Sequence, residues 1–199
     1  MIVGLTGGIG SGKSTIAKQL CQMGYVIYDT DSHAKRLIIE DKSVRQQIEQ
    51  LFGSEAYTNG VYQTAWVAQR VFADNSLLAQ LNAIVHPAVK EDIIRWVQHI
   101  NATLPRYATS VHPTPCFVEC AILYQAGFNT LCDKVVAITA PEEVRIERVI
   151  TRDHSTIEEV RARMRAQDLE QNLQRADIVV NNDGTHPIYK LCEAILQQI

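Results

Sequence analysis

The chain has little with which to staple, anchor or extend itself. Its five cysteines are an odd number and none forms a C-x-x-C pair; a disulfide framework would leave one thiol over, so reduced thiols in the cytoplasm are the better expectation. His112 beside Cys116 and Cys120 would be one ligand short of a closed metal site, and the cysteines read instead as apolar residues flanking a buried strand. Ten glycines and six prolines in 199 residues exclude a collagen-like or low-complexity chain. The net charge of −3 supplies no basic excess for nucleic acid or anionic lipid. No apolar run approaches the roughly 20 residues of a membrane span. The opening MIVGLTGGIG lacks the basic start and long apolar core of a signal peptide. What is present is ordinary globular composition, 46% hydrophobic and 21% charged, enough for a chain of this length to bury roughly 70% of its unfolded surface.

The order of signals is strand, glycine-rich turn, helix, strand, a long helical stretch, then strand, helix, strand and helix. Strand candidates fall at 2–6, 25–28, 116–118, 135–139 and 178–180. Lys13–Gln22 carries helical spacing through Ile16, Ala17 and Leu20, closed by Gly24. Pro141 with Glu142 and Glu143 starts another helix, and residues 185–196 form the last. Strands alternating with helices predict a parallel sheet covered on both faces. Residues 32–101 break the alternation. They read as successive helices punctuated by Gly53, the Thr58–Asn59–Gly60 turn, Asp74–Asn75 and Pro87, hence as an inserted subdomain. Residues 102–115 read as an exposed loop.

Gly7-Gly8-Ile9-Gly10-Ser11-Gly12-Lys13-Ser14 fits G-x-x-x-x-G-K-[ST], between a strand and a helix as the motif requires. Its glycines let backbone N–H groups turn inward around an anion, and the following helix adds its positive end. Lys13 would reach the β- and γ-phosphates and the Ser14 hydroxyl would ligate Mg²⁺. The chain therefore binds a nucleoside triphosphate. An N-K-x-D guanine reader and a second glycine-rich signature are both absent from the sequence, which leaves a small-molecule kinase over a GTPase or transporter ATPase.

Asp29-Thr30-Asp31 closes the second strand, where open α/β sheets present ligands. One carboxylate can serve as the base for an attacking hydroxyl, and the alternative is that Asp31 or Ser32 caps a helix. Seven arginines crowd residues 145–175 without a lysine. Some belong to i,i+4 ion pairs such as Glu159–Arg163, while Arg148 and Arg152 share a helix face suited to a lid over triphosphate charge. Glu119 stands at a strand end as a Walker B-like acid, and His86-Pro87 reads either as a helix corner or as a site element.

In this order the pieces resemble the dephospho-CoA kinase family: GLTGGIGSGKST at 4–15, YDTDSHAKRL at 28–37, LNAIVHP at 81–87, DKVVAITAPEEVRIERVITRD at 133–153, and AQD followed by ADIVVNNDG at 166–184. The resemblance implies a P-loop kinase-like α/β fold: a parallel five-stranded sheet with helices on both faces, a nucleotide core of residues 1–31 and 102–199, a helical lid within 145–172, and a CoA-substrate subdomain at 32–101. It implies ATP and Mg²⁺, with dephospho-CoA phosphorylated on its ribose 3′-hydroxyl. The implied catalytic residues are Asp31, Lys13 and Arg148. ATP falls to Gly8, Ile9, Gly10, Ser11, Gly12, Lys13, Ser14, Thr15, Arg148, Arg152 and Asn182, the last near the base. The acceptor falls to Asp31, Arg70 and His86, and the metal to Ser14 and Glu119. The chain departs from the family's P-L-L-x-E run, with Ala121 for proline and Gln125 for the acid, and Arg145 stands where glutamine is frequent. The acid's role then passes to Glu119. The rival readings are another small-molecule kinase, of nucleoside, nucleotide or shikimate type, and a non-enzymatic ATP-binding regulator. Oligomeric state is not legible.

Overall fold

A computed structural model describes residues 1–103, 114–165 and 167–199. Five strands form a parallel sheet in the order β2-β5-β1-β6-β7: β1 (Ile2–Gly7), β2 (Ile27–Asp29), β5 (Cys116–Glu119), β6 (Lys134–Thr139) and β7 (Ile178–Asn181). A short antiparallel pair, β3 (Tyr57–Thr58) and β4 (Val61–Tyr62), stands apart. The helices are α1 (Lys13–Gln22), α2 (Thr30–Glu40), α3 (Lys42–Phe52), α4 (Thr64–Ala73), α5 (Asn75–Thr103), α6 (Glu142–Asp153), α7 (Ile157–Arg165), α8 (Leu169–Arg175) and α9 (Ile188–Leu196). The chain divides into two compact units, Met1–Tyr28 with Pro105–Ile199, and Asp29–Leu104.

The first unit is built on alternation. Val3 and Leu5 of β1, Val136 and Ile138 of β6, and Ile178 and Val180 of β7 face one side of the sheet. There they bury Ile16, Ala17 and Leu20 of α1 with Cys192 and Ile195 of α9. Each valine, leucine or isoleucine side chain so removed from water contributes roughly 1.5–3 kcal/mol. Gly4 points to the other face, where a Cβ would come within 2.8 Å of Leu123 and 2.9 Å of Cys132. Because β1 is central and the chain crosses to both sides of it, the crevice of the sheet opens at the carboxyl end of β1.

Two aspartates pin the strands at their opposite ends. Asp133 donates its N–H to the Ile2 carbonyl at 2.8 Å and accepts the Ile2 N–H on Oδ2 at 2.6 Å. Asp177 repeats the device with Val135, at 3.0 and 2.7 Å.

The second unit is not all helix. Asn59 and Gly60 both take positive φ, 51° and 81°, and this two-residue turn folds 57–62 into a hairpin where a break between helices was expected. Nor does Pro87 end a helix, for α5 runs through it to Thr103. Pro87 and Ala83, the residue whose carbonyl loses its partner, are both exposed, so the interruption falls on the solvent side of the helix rather than in the core. Val85, Val89 and Ile93 stay buried on the other face. Residues 104–113 of the expected 102–115 loop, with His112, lie outside the described residues, as does Ala166. The last helix starts three residues later than expected, at Ile188 behind Pro187, because Asp183 ties Thr185 into a turn through its N–H and hydroxyl at 2.9 and 2.6 Å.

Candidate active site

The glycine loop leaves β1 and enters α1 without a side-chain cap, so no side chain occupies the N–H groups of the first turn, of which those of Thr15 and Ile16 turn to the Gly12 carbonyl at 3.0 Å. Two glycines are required on steric grounds. Gly10 has φ 77° and a Cβ there would collide with the Arg145 carbonyl oxygen; Gly12 has φ 87° and a Cβ there would collide with the Asn182 amide. The loop is held from three directions: Ile9 N–H donates to Gln167 Oε1 at 2.7 Å, Asn182 Nδ2 donates to the Ser11 carbonyl at 2.8 Å, and Arg148 Nη1 reaches the Gly10 carbonyl at 3.4 Å.

At the end of β5, Glu119 accepts from both Lys13 Nζ and Ser14 Oγ, each at 2.6 Å, through one oxygen. The Lys13 and Glu119 side chains are 13% and 10% exposed, so the charges are largely desolvated and each neutralises the other. A hydroxyl and a carboxylate so close are oxygen donors of the kind a small hard cation takes, and Mg²⁺ needs only one or two protein ligands beside phosphate oxygens. Gln125 is exposed in the turns after β5. Among the described residues no cluster of three or more His, Cys, Asp or Glu is placed to hold a metal. Cys116 and Cys120 are buried. Burial pushes the Cys116 thiol up, and pushes Cys132 to about 12, as fits apolar residues rather than ligands.

Along α6 the arginines separate. Arg148 meets the loop, whereas Arg152 turns to Asp153, with Nε to Oδ1 at 2.6 Å and Nη2 to Oδ2 at 2.9 Å. Arg163 joins the same carboxylate at 3.3 Å and not Glu159. Glu159 instead forms a capping box with Thr156, at 2.9 and 3.3 Å. Arg145 is a residue the motif spacing did not single out. Its guanidinium lies 2.8 Å from where a Gly8 Cβ would stand. Its Nε is buried without a hydrogen-bond partner, and burial pulls its pKa down. A guanidinium with an unpartnered Nε against the glycine loop is equipped to meet an anion. Its signal in the sequence was the glutamine it replaces. Asn182 lies beneath the loop, 2% exposed; its Oδ1 and the Ser11 hydroxyl are buried without partners.

In the second unit, Asp29 rather than Asp31 or Ser32 caps α2, accepting from the N–H of Asp31 at 3.1 Å and from the Ser32 hydroxyl at 2.6 Å. Asp31 is left exposed in the first turn. Further along α2, His33 Nδ1 and Arg36 Nη2 meet Asp92 Oδ2 of α5 at 2.9 and 2.7 Å. Arg70 stacks over Trp66, 3.2 Å from the ring centroid. His86 is half-buried, and that burial lowers its pKa.

A parallel sheet whose central strand feeds a G-K-S loop, with the lysine and serine gathered by an acid on the neighbouring strand, is the architecture of a P-loop phosphotransferase. The sequence model of the dephospho-CoA kinase family matches residues 1–187, and the chain belongs to that family. It is accordingly a kinase with ATP as co-substrate. The dephospho-CoA kinase of Porphyromonas gingivalis is 39% identical over 199 residues, covering 99% of this chain and 93% of its own. Among solved structures, TT1252 of Thermus thermophilus superposes with a TM-score of 0.79 at 32% identity, covering 99% of this chain and 94% of its own. The Campylobacter jejuni dephospho-CoA kinase, at 22% identity, shares the fold with a TM-score of 0.71, covering 99% and 96%. No helix among the described residues is long and apolar enough to cross a membrane.

Proposed function

We propose that this chain transfers the γ-phosphoryl group of ATP to the ribose 3′-hydroxyl of dephospho-CoA, yielding CoA and ADP, the final step of CoA biosynthesis. The observation that carries the reading is the meeting of Lys13, Ser14 and Glu119 beneath the glycine loop, in a chain of this family. Backbone amides of residues 10–15 and the start of α1 cradle the phosphates. Lys13 exchanges Glu119 for the β- and γ-phosphates, and Arg145 and Arg148 add positive charge where the transition state spreads negative charge. Ser14 and Glu119 would hold Mg²⁺, which supplies charge neutralisation on the phosphates when bound.

The acceptor oxygen forms its bond to the γ-phosphorus as the bond to the bridging β–γ oxygen breaks, and Asp31 receives the hydroxyl proton. Asp31 suits that role because it follows the end of β2 and, with Asp29 doing the capping, its carboxylate is left for other work. Arg70 and His86 serve the acceptor in the second unit. A cytoplasmic enzyme with reduced thiols acting on a small molecule, without nucleic acid, completes the reading.

The test is ADP release with purified protein. Turnover that depends strictly on dephospho-CoA supports it. Equal turnover with shikimate or a nucleoside would move the chain to another acceptor class, and ATP binding with no turnover on any acceptor would make it a regulator.

A further inference from the structure

The glycine loop and the arginine-bearing hairpin of α6 and α7 are joined at Ile9, by contacts that phosphate binding itself does not call for. Ile146 and Val149 of α6 and Val160 of α7 are buried together, and Ile9, Ile150 and Met164 pack against them. A side chain from the middle of the phosphate motif therefore lies in the apolar seam between two helices far along the chain.

The main chain of Ile9 is held by the same body. Its N–H donates to Gln167 Oε1 at 2.7 Å, and the Gln167 N–H donates to the Met164 carbonyl at 3.1 Å. Gln167 is thereby fixed to the end of α7, and Met164, which fixes it, packs on the cluster that Ile9 enters. Side chain and main chain of Ile9 thus reach α7 by two separate routes. One residue further on, Gly10 lies so close to the Arg145 carbonyl of α6 that no Cβ fits between them. Two consecutive loop residues are seated on the two helices of the hairpin, and close packing passes a shift of either helix on to the loop. A glutamine suits the position at 167. Its neutral amide accepts the N–H without setting a negative charge beside the phosphates, as a glutamate would.

We infer that Gln167 is a positioning residue that tethers the glycine loop to α7, so that ATP in the loop and order in the α6–α7 hairpin support each other. The inference rests on ATP as the donor and is independent of the acceptor. Gln167 acts through Ile9. With the tether in place the amides of residues 10–15 are preset for phosphate, and less order has to be gained on binding. Coupling of this kind is reciprocal: what the hairpin gives to ATP affinity, ATP returns to the hairpin.

The experiment reads amide exchange and kinetics together, with the β,γ-imido analogue of ATP as the probe. In the unaltered protein the saturating analogue should slow exchange about tenfold in α7 (Ile157–Arg165) as well as in residues 10–15. Gln167→Met keeps the length of the side chain but offers only a weak acceptor. There the saturating analogue should still protect residues 10–15 while α7 exchanges as it does without nucleotide. In the same variant KM for ATP should rise about tenfold with kcat within about threefold, the mark of lost binding common to ground and transition states. Ile9→Ala cuts the other route and should uncouple α7 likewise, whereas Gln167→Glu still accepts the N–H and should keep α7 protected. Absence of α7 protection in the unaltered protein overturns the inference even if a variant folds poorly. Protection of α7 that survives in both Gln167→Met and Ile9→Ala overturns it too, because α7 would then sense the nucleotide by direct contact. An unaltered protein whose residues 10–15 gain no protection overturns ATP binding itself, a result distinct from both.

Discussion

The two units of this chain are built on opposite principles. Around the glycine loop nearly every contact is polar and specific: Glu119 gathers Lys13 and Ser14, Asn182 supports Ser11, Gln167 holds Ile9, and Arg148 meets Gly10. In the second unit the framework is aliphatic. Val44, Ile48, Val67 and Val71 pack with Tyr57 around a core, and the polar groups sit on top of it. A polar site tolerates little substitution because each buried group left unpaired costs about 1–3 kcal/mol. An aliphatic frame tolerates exchange so long as volume is kept. The glycine loop of the first unit is thus fixed in detail, while the second unit is fixed only in shape.

Five substitutions sharpen or break that contrast. The largest effect is expected from Asp31→Asn, which keeps the shape but cannot take a proton. Its kcat should fall by about 10²–10⁴ with ATP affinity unchanged in a binding titration. Loss of ATP binding with normal turnover per bound complex would make Asp31 a nucleotide-side residue and erase the division. Next comes Lys13→Ala, with a loss of about 10²–10³ in kcat; near-normal turnover at saturating ATP would mean that the Lys13–Glu119 pair is only structural. In the same site, Glu119→Gln should shift the Mg²⁺ requirement upward by about tenfold, because one carboxylate ligand is lost, whereas Gln125→Glu should leave a Mg²⁺ titration where it was. The reverse order would return the acid's role to position 125. The smallest effect tests the frame. Pro87→Ala restores an N–H to α5 at an exposed position, and should raise stability by about 1–2 kcal/mol in denaturant titration, the gain in helix propensity less the added freedom of the unfolded chain. A loss would show that the frame depends on the proline ring.

The two regions also differ in how far the sequence announces them. The loop, α1, the place of Glu119 and the run of β-branched strands were readable because each is a local pattern with a fixed period. Arg145 was not, since its importance lies in its closeness to Gly8, 137 residues earlier in the chain. The parting of Arg148 from Arg152 depends on Asp153, a neighbour whose pull no helical wheel displays. In the second unit the Asn59–Gly60 turn was visible as punctuation. Its meaning as a hairpin depends on Tyr57 and Tyr62 meeting across it, ring centroids 5.3 Å apart. Pro87 misleads any local reading, because what tolerates it is the exposure of its side of α5, Ala83 included, rather than anything in the flanking residues. The cap of α2 fell to Asp29 and not to its neighbours because β2 carries one residue further than its apolar run.

The two aspartates at the foot of the sheet act as registration pins. Asp133 and Asp177 each lock a strand to its neighbour by a paired bond, one at the β1–β6 seam and one at the β6–β7 seam. In a parallel sheet a slip of one residue advances a strand by about 3.3 Å and turns its side chains to the opposite face. The error would surface at the far end, where Asn182, just beyond β7, must arrive beneath Ser11, just beyond β1. The pins therefore set the alignment of the phosphate loop from the other edge of the molecule, as the hinge side of a door sets where its latch falls.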